Sequence, residues 1–392
     1  MRSRALLLAL LLALLLPASA SAIPAFARRY KVSCQLCHDP APKLTAFGEQ
    51  FAGNGFRMAS GEAPRDTIAV GDPLLALASN VPLAMRVDAY IQGFSKGSAR
   101  TDFQSPYIIK LLASGPLSKS ISYYMYANLL ERGEFGGFED AILIFNDVGG
   151  SSLDVNLGQF QVSDPLFKRE LRLMFEDYVA YRANVGDEPA NLTYDRGILA
   201  SFEVVGFSLS GQLLNGNGIG PVQQDRRFDD NGPKNLAGRV SREFGEALRL
   251  GGFGYYGKST SQARDNRVTM LGADATVALG VLEVNAQYLH REDTNPLFLA
   301  TGRVVKTDGG FVEAVVRPEA SRWHLFGLYN LLTATQPVLN PRMGGGTAVS
   351  KYQSVTGGAG YLVQRNLRAT GELTWDTQLE QARWSFGFVT AF

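Results

Sequence analysis

The stretch LEVNAQY at residues 282–288 decides the fold, because apolar and polar side chains alternate along it. Its leucine, valine, alanine and tyrosine fall on one face of an extended chain, and its glutamate, asparagine and glutamine fall on the other. The same alternation recurs at residues 86–92, 121–129, 312–317 and 367–376. Segments of about ten residues that are apolar on one face and polar on the other are typical of strands that cross a membrane as a β-barrel.

The connections between these segments alternate in length. Tight connections are predicted near residues 115–118, 149–151, 205–206, 245–247, 280, 318–321 and 364–366. Longer connections are predicted near residues 97–104, 132–137, 162–195, 215–235, 258–266, 291–309 and 332–350. Short periplasmic turns and long outer loops are typical of outer-membrane barrels. This pattern predicts an all-β transmembrane barrel of about sixteen antiparallel strands over residues 81–392, with both its ends in the periplasm.

The chain ends with residues 384–392, WSFGFVTAF, in which aromatic residues alternate and the last residue is phenylalanine. This ending resembles the recognition signal of bacterial outer-membrane barrels, although a soluble sandwich with an aromatic last strand would also fit it. Alternation over so many segments favours a membrane barrel surrounded by outer-membrane lipid. The net charge of +1 argues against nucleic acid as a partner.

The N-terminus predicts export. Residues 1–22 contain a basic start, an apolar run of about twelve residues and a small-residue site that ends at Ala22, as in a cleaved secretory signal peptide. The run is too short for a membrane-spanning helix, which needs about 20 apolar residues. Any membrane embedding is therefore expected to be by strands.

Residues 34–38, CQLCH, have the spacing that attaches a c-type haem. Cys34 and Cys37 would each add to a vinyl group of one covalent haem c, and His38 would be an axial ligand of its iron. A redox dithiol and half of a zinc site are the alternatives. A four-thiolate zinc site is excluded because the chain has only two cysteines. The sequence therefore predicts a monohaem cytochrome c segment over residues 23–80.

Two short amphipathic helices are predicted around this motif. Phe26, Tyr30 and Cys34 have the spacing of one helix face, a proline-rich break follows at residues 39–42, and a second helix ends at residues 53–55. The side chains expected to surround the haem are Phe26, Tyr30, Leu44, Phe47, Phe51 and Phe56. Such a small segment cannot bury a haem unaided. It is therefore expected to pack against the barrel or to plug its lumen.

The sequence leaves the sixth ligand of the haem iron undecided. Met58 is the only methionine of the segment, and a His/Met pair would raise the reduction potential. The alternative for Met58 is an ordinary core methionine. His290 and His324 could reach in from the barrel wall, although lumen or interfacial positions suit them better. A water-bound or open site is the remaining alternative.

The longest predicted loop, residues 162–195, has helical spacing at Leu171, Phe175, Tyr178 and Val179. A helix here could fold inward and constrict the lumen. The alternative is an additional pair of strands.

Residues 26–58, FARRYKVSCQLCHDPAPKLTAFGEQFAGNGFRM, followed by a barrel, resemble the fused monohaem cytochrome–porins of the bacterial outer membrane, which include iron-oxidising outer-membrane cytochromes. The resemblance implies a sixteen-stranded barrel plugged by the haem segment, in the outer membrane of a Gram-negative bacterium. It implies Cys34 and Cys37 as thioether attachments and His38 as axial ligand. No motif in the sequence fixes the electron donor.

A covalent haem suits repeated one-electron cycling, and a barrel would carry it across a membrane. The first hypothesis is therefore an electron conduit from an extracellular donor, with Fe(II) as the candidate, to a periplasmic c-type cytochrome or another soluble carrier. Fe(II) oxidase activity belongs to the same hypothesis. The alternative is a solute-conducting porin in which the haem segment is a structural plug or a sensor. A peroxidase-like haem enzyme is disfavoured because the chain has only three histidines.

Overall fold

The computed structural model describes residues 25–58, 61–65, 67–72, 74–75, 77–79, 82–222, 224–229, 232–342 and 346–392. The predicted signal peptide at residues 1–22 lies outside them. None of the helices in these ranges is long and apolar enough to span a membrane.

The described residues form eighteen strands, and sixteen of these form a closed antiparallel barrel. In chain order the strands are β1 (Leu83–Phe94), β2 (Thr101–Pro116), β3 (Ile121–Glu131), β4 (Gly137–Phe145), β5 (Asp154–Gln161), β6 (Asn184–Val185), β7 (Tyr194–Val204), β8 (Phe207–Leu214), β9 (Asn235–Phe244), β10 (Leu248–Ser261), β11 (Arg264–Leu279), β12 (Leu282–Asp293), β13 (Val305–Val316), β14 (Trp323–Ala334), β15 (Leu339–Asn340), β16 (Lys351–Gln364), β17 (Leu367–Asp376) and β18 (Gln381–Ala391). Strands β6 and β15 pair with each other outside the barrel sheet, and β1 pairs with β18 to close the ring. The prediction of sixteen strands is confirmed.

Alternate residues of each strand face the lumen and the outside. On β12, Tyr288 is 53% exposed while its neighbour Gln287 is buried, and on β17, Leu373 is 57% exposed while Glu372 is buried. The large apolar side chains therefore cover the outer face, where lipid would surround the barrel, and the polar ones point inward. Alternation decides this arrangement because successive side chains of a strand point to opposite faces.

The two ends of the barrel differ. The short-turn end carries the connections at residues 117–120, 146–153, 205–206, 245–247, 280–281, 317–322 and 365–366, and the long-loop end carries the others. The long loop predicted at residues 258–266 is wrong, because β10 and β11 continue to a two-residue turn at Gln262 and Ala263. Backbone pairing does not need apolar side chains, so polar residues extend this hairpin beyond the apolar band.

The long connection at residues 162–193, called here the inner segment, lies inside the barrel. Leu173, Met174, Val179 and Tyr181 of this segment are at most 4% exposed. Its predicted inward course is confirmed, but the predicted helix is largely wrong. It contains a 3-10 turn, Arg169–Leu171, and one short helix, α4 (Val179–Arg182).

Hydrogen bonds to the barrel wall replace helical ones in the inner segment. Tyr178 Oη donates to Glu313 at 2.8 Å, the Val179 N–H donates to Asn330 at 3.2 Å, the Phe175 N–H donates to Glu372 at 2.7 Å, and Arg291 donates to the Ala190 carbonyl at 2.9 Å. These partners come from β12, β13, β14 and β17, so the segment is fixed on several sides. Buried backbone groups need partners, and here the wall supplies them.

Within the described residues, three short helices precede the barrel: α1 (Ala25–Tyr30), α2 (Cys34–Cys37) and α3 (Ala46–Gly53). The predicted shared helix face of Phe26, Tyr30 and Cys34 is wrong, since α1 ends at Tyr30 and Lys31 has a φ of 55°. The predicted second helix is confirmed. It begins at the N-cap Thr45, whose hydroxyl accepts from the Gly48 N–H at 3.1 Å, and it ends before Gly55 at a φ of 63°.

The N-terminal segment, residues 25–65, contacts the short-turn end at points around its rim. The contacts are Arg28 to the Leu83 carbonyl at 2.6 Å, Arg57 to the Lys119 carbonyl at 2.7 Å, Arg57 to Asp147 at 3.2 Å, Lys43 to Glu283 at 2.6 Å and Arg317 to Asp39 at 3.7 Å. These partners belong to β1, to β12 and to three of the turns. Charged side chains and backbone carbonyls therefore tie the segment to the barrel.

Candidate functional site

The CQLCH motif forms a single helical turn. Helix α2 begins at Cys34 after the N-cap Ser33 and ends at Cys37, and the His38 N–H donates to the Cys34 carbonyl at 2.9 Å. Residues three apart lie on the same side of a helix, so the two thiols share a face. Both cysteines are free of disulfides and line one cavity together with His38. Burial raises the pKa of the Cys37 thiol.

The imidazole of His38 is oriented by its own loop. Its Nδ1 donates to the Pro42 carbonyl at 3.1 Å, which leaves Nε2 as the nitrogen with a free lone pair. Ligating histidines commonly have such a partner on the other ring nitrogen, since it fixes the tautomer and the ring plane. Burial lowers the pKa of His38, so the neutral, metal-binding form is favoured.

Helix α3 holds the motif in place. The Thr45 N–H donates to the Cys37 carbonyl at 2.9 Å, and the Thr45 hydroxyl donates to the Leu36 carbonyl at 2.7 Å. Gly48 lies so close to α2 that a Cβ atom there would be 2.2 Å from the Cys37 carbonyl oxygen. The close approach of the two helices therefore requires a glycine at this position.

We expect Gly48→Ala to displace α2 from α3, because the obstacle is backbone rather than a flexible side chain. Overpacking of this kind costs about 1–3 kcal/mol. Limited proteolysis should cut the N-terminal segment faster in this variant than in the wild type, while the barrel stays intact. Gly53→Ala is the matched control, since a Cβ atom there meets nothing within 4 Å. Equal cleavage rates for the two variants would contradict the packing argument.

The cavity beside the motif has a volume of about 280 Å³ and lies between the N-terminal segment and the barrel wall. Its apolar lining includes Phe26, Leu44, Phe51, Phe56, Leu112, Leu362, Leu367 and Val389. Phe56 stacks on Tyr124 of β3 with ring centroids 4.8 Å apart, which joins the two parts of the lining. Phe26, Leu44, Phe51 and Phe56 were predicted here. Tyr30 and Phe47 were also predicted but do not line the cavity.

The residues present fit a covalent haem. Two thiols on one helix face, an imidazole with a free Nε2 and several apolar side chains line the same cavity. Apolar walls with a few placed polar groups are typical of cofactor sites. Cys34, Cys37 and His38 therefore line one cavity, and the covalent haem stays a prediction.

The predicted candidates for a sixth ligand lie elsewhere. The Met58 N–H donates to Glu62 at 2.6 Å, and Met58 does not line the cavity. His290 is on the outer face, where its Nδ1 lies 2.8 Å from Asp308. His324 faces the lumen and is 2% exposed, but it does not line the cavity either. The ligand role of Met58 stays a prediction, which the haem absorption spectrum of Met58→Ala would test.

Sequence reasoning missed the part of the site that the barrel contributes. Arg86 of β1, Lys110 of β2 and Arg368 of β17 line the cavity. The available signal was a basic residue at a lumen-facing position near the short-turn end of a strand. That signal does not say which strands lie beside the motif.

Comparison with solved structures identifies the fold of this chain. No protein-family model matches the chain, and no curated protein matches it. The anion-selective porin of Comamonas acidovorans superposes with a TM-score of 0.59 at 13% identity, over 80% of this chain and 99% of that one. The fold is that of an outer-membrane porin.

Two further solved structures share this porin fold. The outer membrane channel DcaP of Acinetobacter baumannii has a TM-score of 0.57 at 10% identity, over 80% of this chain and 97% of its own. A loop-deletion mutant of OmpT, an outer membrane protein of Vibrio cholerae, has a TM-score of 0.56 at 12% identity, over 80% of this chain and 99% of that one. At such low identity the likeness concerns architecture alone.

Proposed function

We propose that this chain is an outer-membrane electron conduit that passes single electrons through one covalent haem c. Cys34 and Cys37 would hold the haem by thioether bonds, and the Nε2 atom of His38 would ligate its iron. The observation that carries the proposal is the shared cavity, which these three residues line together with side chains of the barrel wall. Such a haem supplies one-electron chemistry that needs no substrate pocket.

The porin fold supports a location in the outer membrane of a Gram-negative bacterium. The short-turn end would then face the periplasm, since short turns are periplasmic in such barrels. The haem segment lies at that end, where a periplasmic c-type cytochrome or another soluble carrier could receive electrons. An extracellular reductant, with Fe(II) as the candidate, would donate from the long-loop end.

The packed lumen supports the transport of electrons rather than of solutes. Phe160, Leu214, Val268 and Leu289 of the wall are at most 4% exposed because the inner segment packs against them. In a water-filled channel these lumen-facing side chains would be exposed to water. The haem segment would act as a second barrier at the short-turn end, where it contacts the rim.

A solute-conducting porin is the second candidate, and the comparisons favour it. The similar protein from Comamonas acidovorans is an anion-selective porin, and the one from Acinetobacter baumannii is an outer membrane channel. In this alternative the N-terminal segment is a structural plug or a sensor, and solutes pass when it or the inner segment moves.

Liposomes distinguish the two candidates. Purified protein in liposomes that contain a trapped reducible dye should pass electrons from external Fe(II), so that the dye is reduced. Protein-free liposomes measure leakage, and trapped chloride measures ion flow. A dye that stays oxidised while chloride crosses freely would refute the conduit and support the porin.

A further inference from the structure

The cavity beside the CQLCH motif, called here the haem cavity, has a strongly cationic lining. Its lining contains five basic side chains, Arg86, Lys110, Lys168, Arg365 and Arg368, and one carboxylate, Glu170. Such an excess of positive charge in a mostly apolar cavity is costly unless anions balance it. The pairing of each basic group therefore shows where an anion is missing.

Four of the five have partners. Arg86 donates to Asp88 through Nε at 2.8 Å and Nη2 at 2.7 Å. Lys168 donates to Asp164 at 2.9 Å.

Lys110 is bonded to Glu170, and Arg365 Nη2 is 3.2 Å from the side-chain oxygen of Gln35 in the orientation that satisfies this amide.

Arg368 differs from the other four. It is 4% exposed and faces the lumen from β17, and its Nε and Nη1 atoms have no hydrogen-bond partner among the described residues. The nearby carboxylate of Asp88 already accepts hydrogen bonds from Nε and Nη2 of Arg86. A guanidinium fork of this kind matches a carboxylate, which can accept two parallel hydrogen bonds.

We propose that Arg368 binds a propionate carboxylate of the haem. This inference rests on the proposed function. A haem attached to Cys34 and Cys37 would occupy the cavity into which Arg368 points, and its two propionates are the carboxylates that such a haem brings. The arginine would thereby join the haem to the barrel wall, so the N-terminal segment and the barrel would share the cofactor. Arg368 is a positioning residue that also sets the reduction potential, since a cation near the haem disfavours Fe(III).

The test compares Arg368→Gln with Arg368→Lys in the full-length haem-containing protein. In a redox buffer of fixed potential, Arg368→Gln should raise the Fe(III)/Fe(II) ratio about tenfold, because one positive charge near the haem is lost. Arg368→Lys keeps the charge and should stay within about twofold of the wild type. Arg249→Gln is the matched control, since Arg249 also lies near the short-turn end and contacts Glu49 but does not line the cavity.

Each of the following results would overturn the inference. Equal ratios for Arg368→Gln and Arg249→Gln in haem-containing protein would refute it and leave the proposed function intact. A wild-type ratio that changes with added acetate, with that change lost in Arg368→Gln, would assign the site to a free carboxylate instead. A wild-type protein without covalent haem would refute the proposed function together with this inference. Should Arg368→Gln fail to fold, an Fe(III)/Fe(II) ratio in Arg368→Lys that depends on acetate would still refute it.

Discussion

Replacing Cys34 and Cys37 together by serine is expected to remove all covalently bound haem and to reduce dye reduction in liposomes to that of protein-free vesicles. A serine hydroxyl does not form the thioether that tethers a c-type haem. The barrel should be unaffected, because neither cysteine is in a disulfide and Lys43 and Arg57 make contacts between the segment and the rim. Mass spectrometry and the absorption spectrum measure the haem, and the liposome assay measures the current.

His38→Ala is the companion variant. It keeps both proposed tethers and removes the proposed axial imidazole, so we expect a protein that still carries covalent haem but has an altered absorption spectrum. Full covalent haem in the double serine variant would show that another group holds the cofactor. Electron transfer that persists without haem would refute the haem as the electron carrier.

The second large effect concerns the inner segment. Replacing residues 164–191 by a short Gly/Ser linker is expected to open the middle of the lumen. The linker can close because Gln161 of β5 and Tyr194 of β7 are direct partners in neighbouring strands. The wall residues that the segment covers would then face water, as in an open sixteen-stranded porin.

Ion conductance in planar bilayers measures this effect. The linker variant should conduct more than the wild type, and the same variant without residues 25–65 should reach the conductance of an open porin, since both barriers are gone. Shortening the exposed loop at residues 225–228 is the matched control and should leave conductance unchanged. If the variant that lacks both the inner segment and residues 25–65 conducts no more than the wild type, the inner segment does not fill the lumen.

Much of the fold could be predicted from single strands. The alternation at residues 282–288 predicts β12 with its polar face inward, and the number of such segments predicts sixteen strands. The CQLCH motif likewise predicts that two thiols and an imidazole lie together, because they are neighbours along the chain. Local spacing is sufficient wherever the interacting groups are a few residues apart.

Other features could not be predicted in this way. The spacing of Leu171, Phe175 and Tyr178 predicts a helix, yet the Phe175 N–H is bonded to Glu372, almost 200 residues away in the sequence. The polar run near residue 262 predicts a loop, yet it forms the end of a paired hairpin. In both cases distant or cross-strand partners satisfied the backbone, and no local pattern records them.

The sequence by itself determined that the chain alternates as membrane strands do and that a motif with the spacing of a c-type haem attachment precedes them. Only the tertiary structure decided that the motif faces a cavity shared with the barrel and that the inner segment fills the lumen. It also decided that Arg368 lines this cavity with its Nε and Nη1 atoms unbonded to any residue that the structure describes. The physical reason is that alternation is a property of one pleated strand, whereas the contents of the lumen depend on the closure of the ring. Closure brings β1, β17 and β18 beside a motif that is hundreds of residues away from β17 in the sequence.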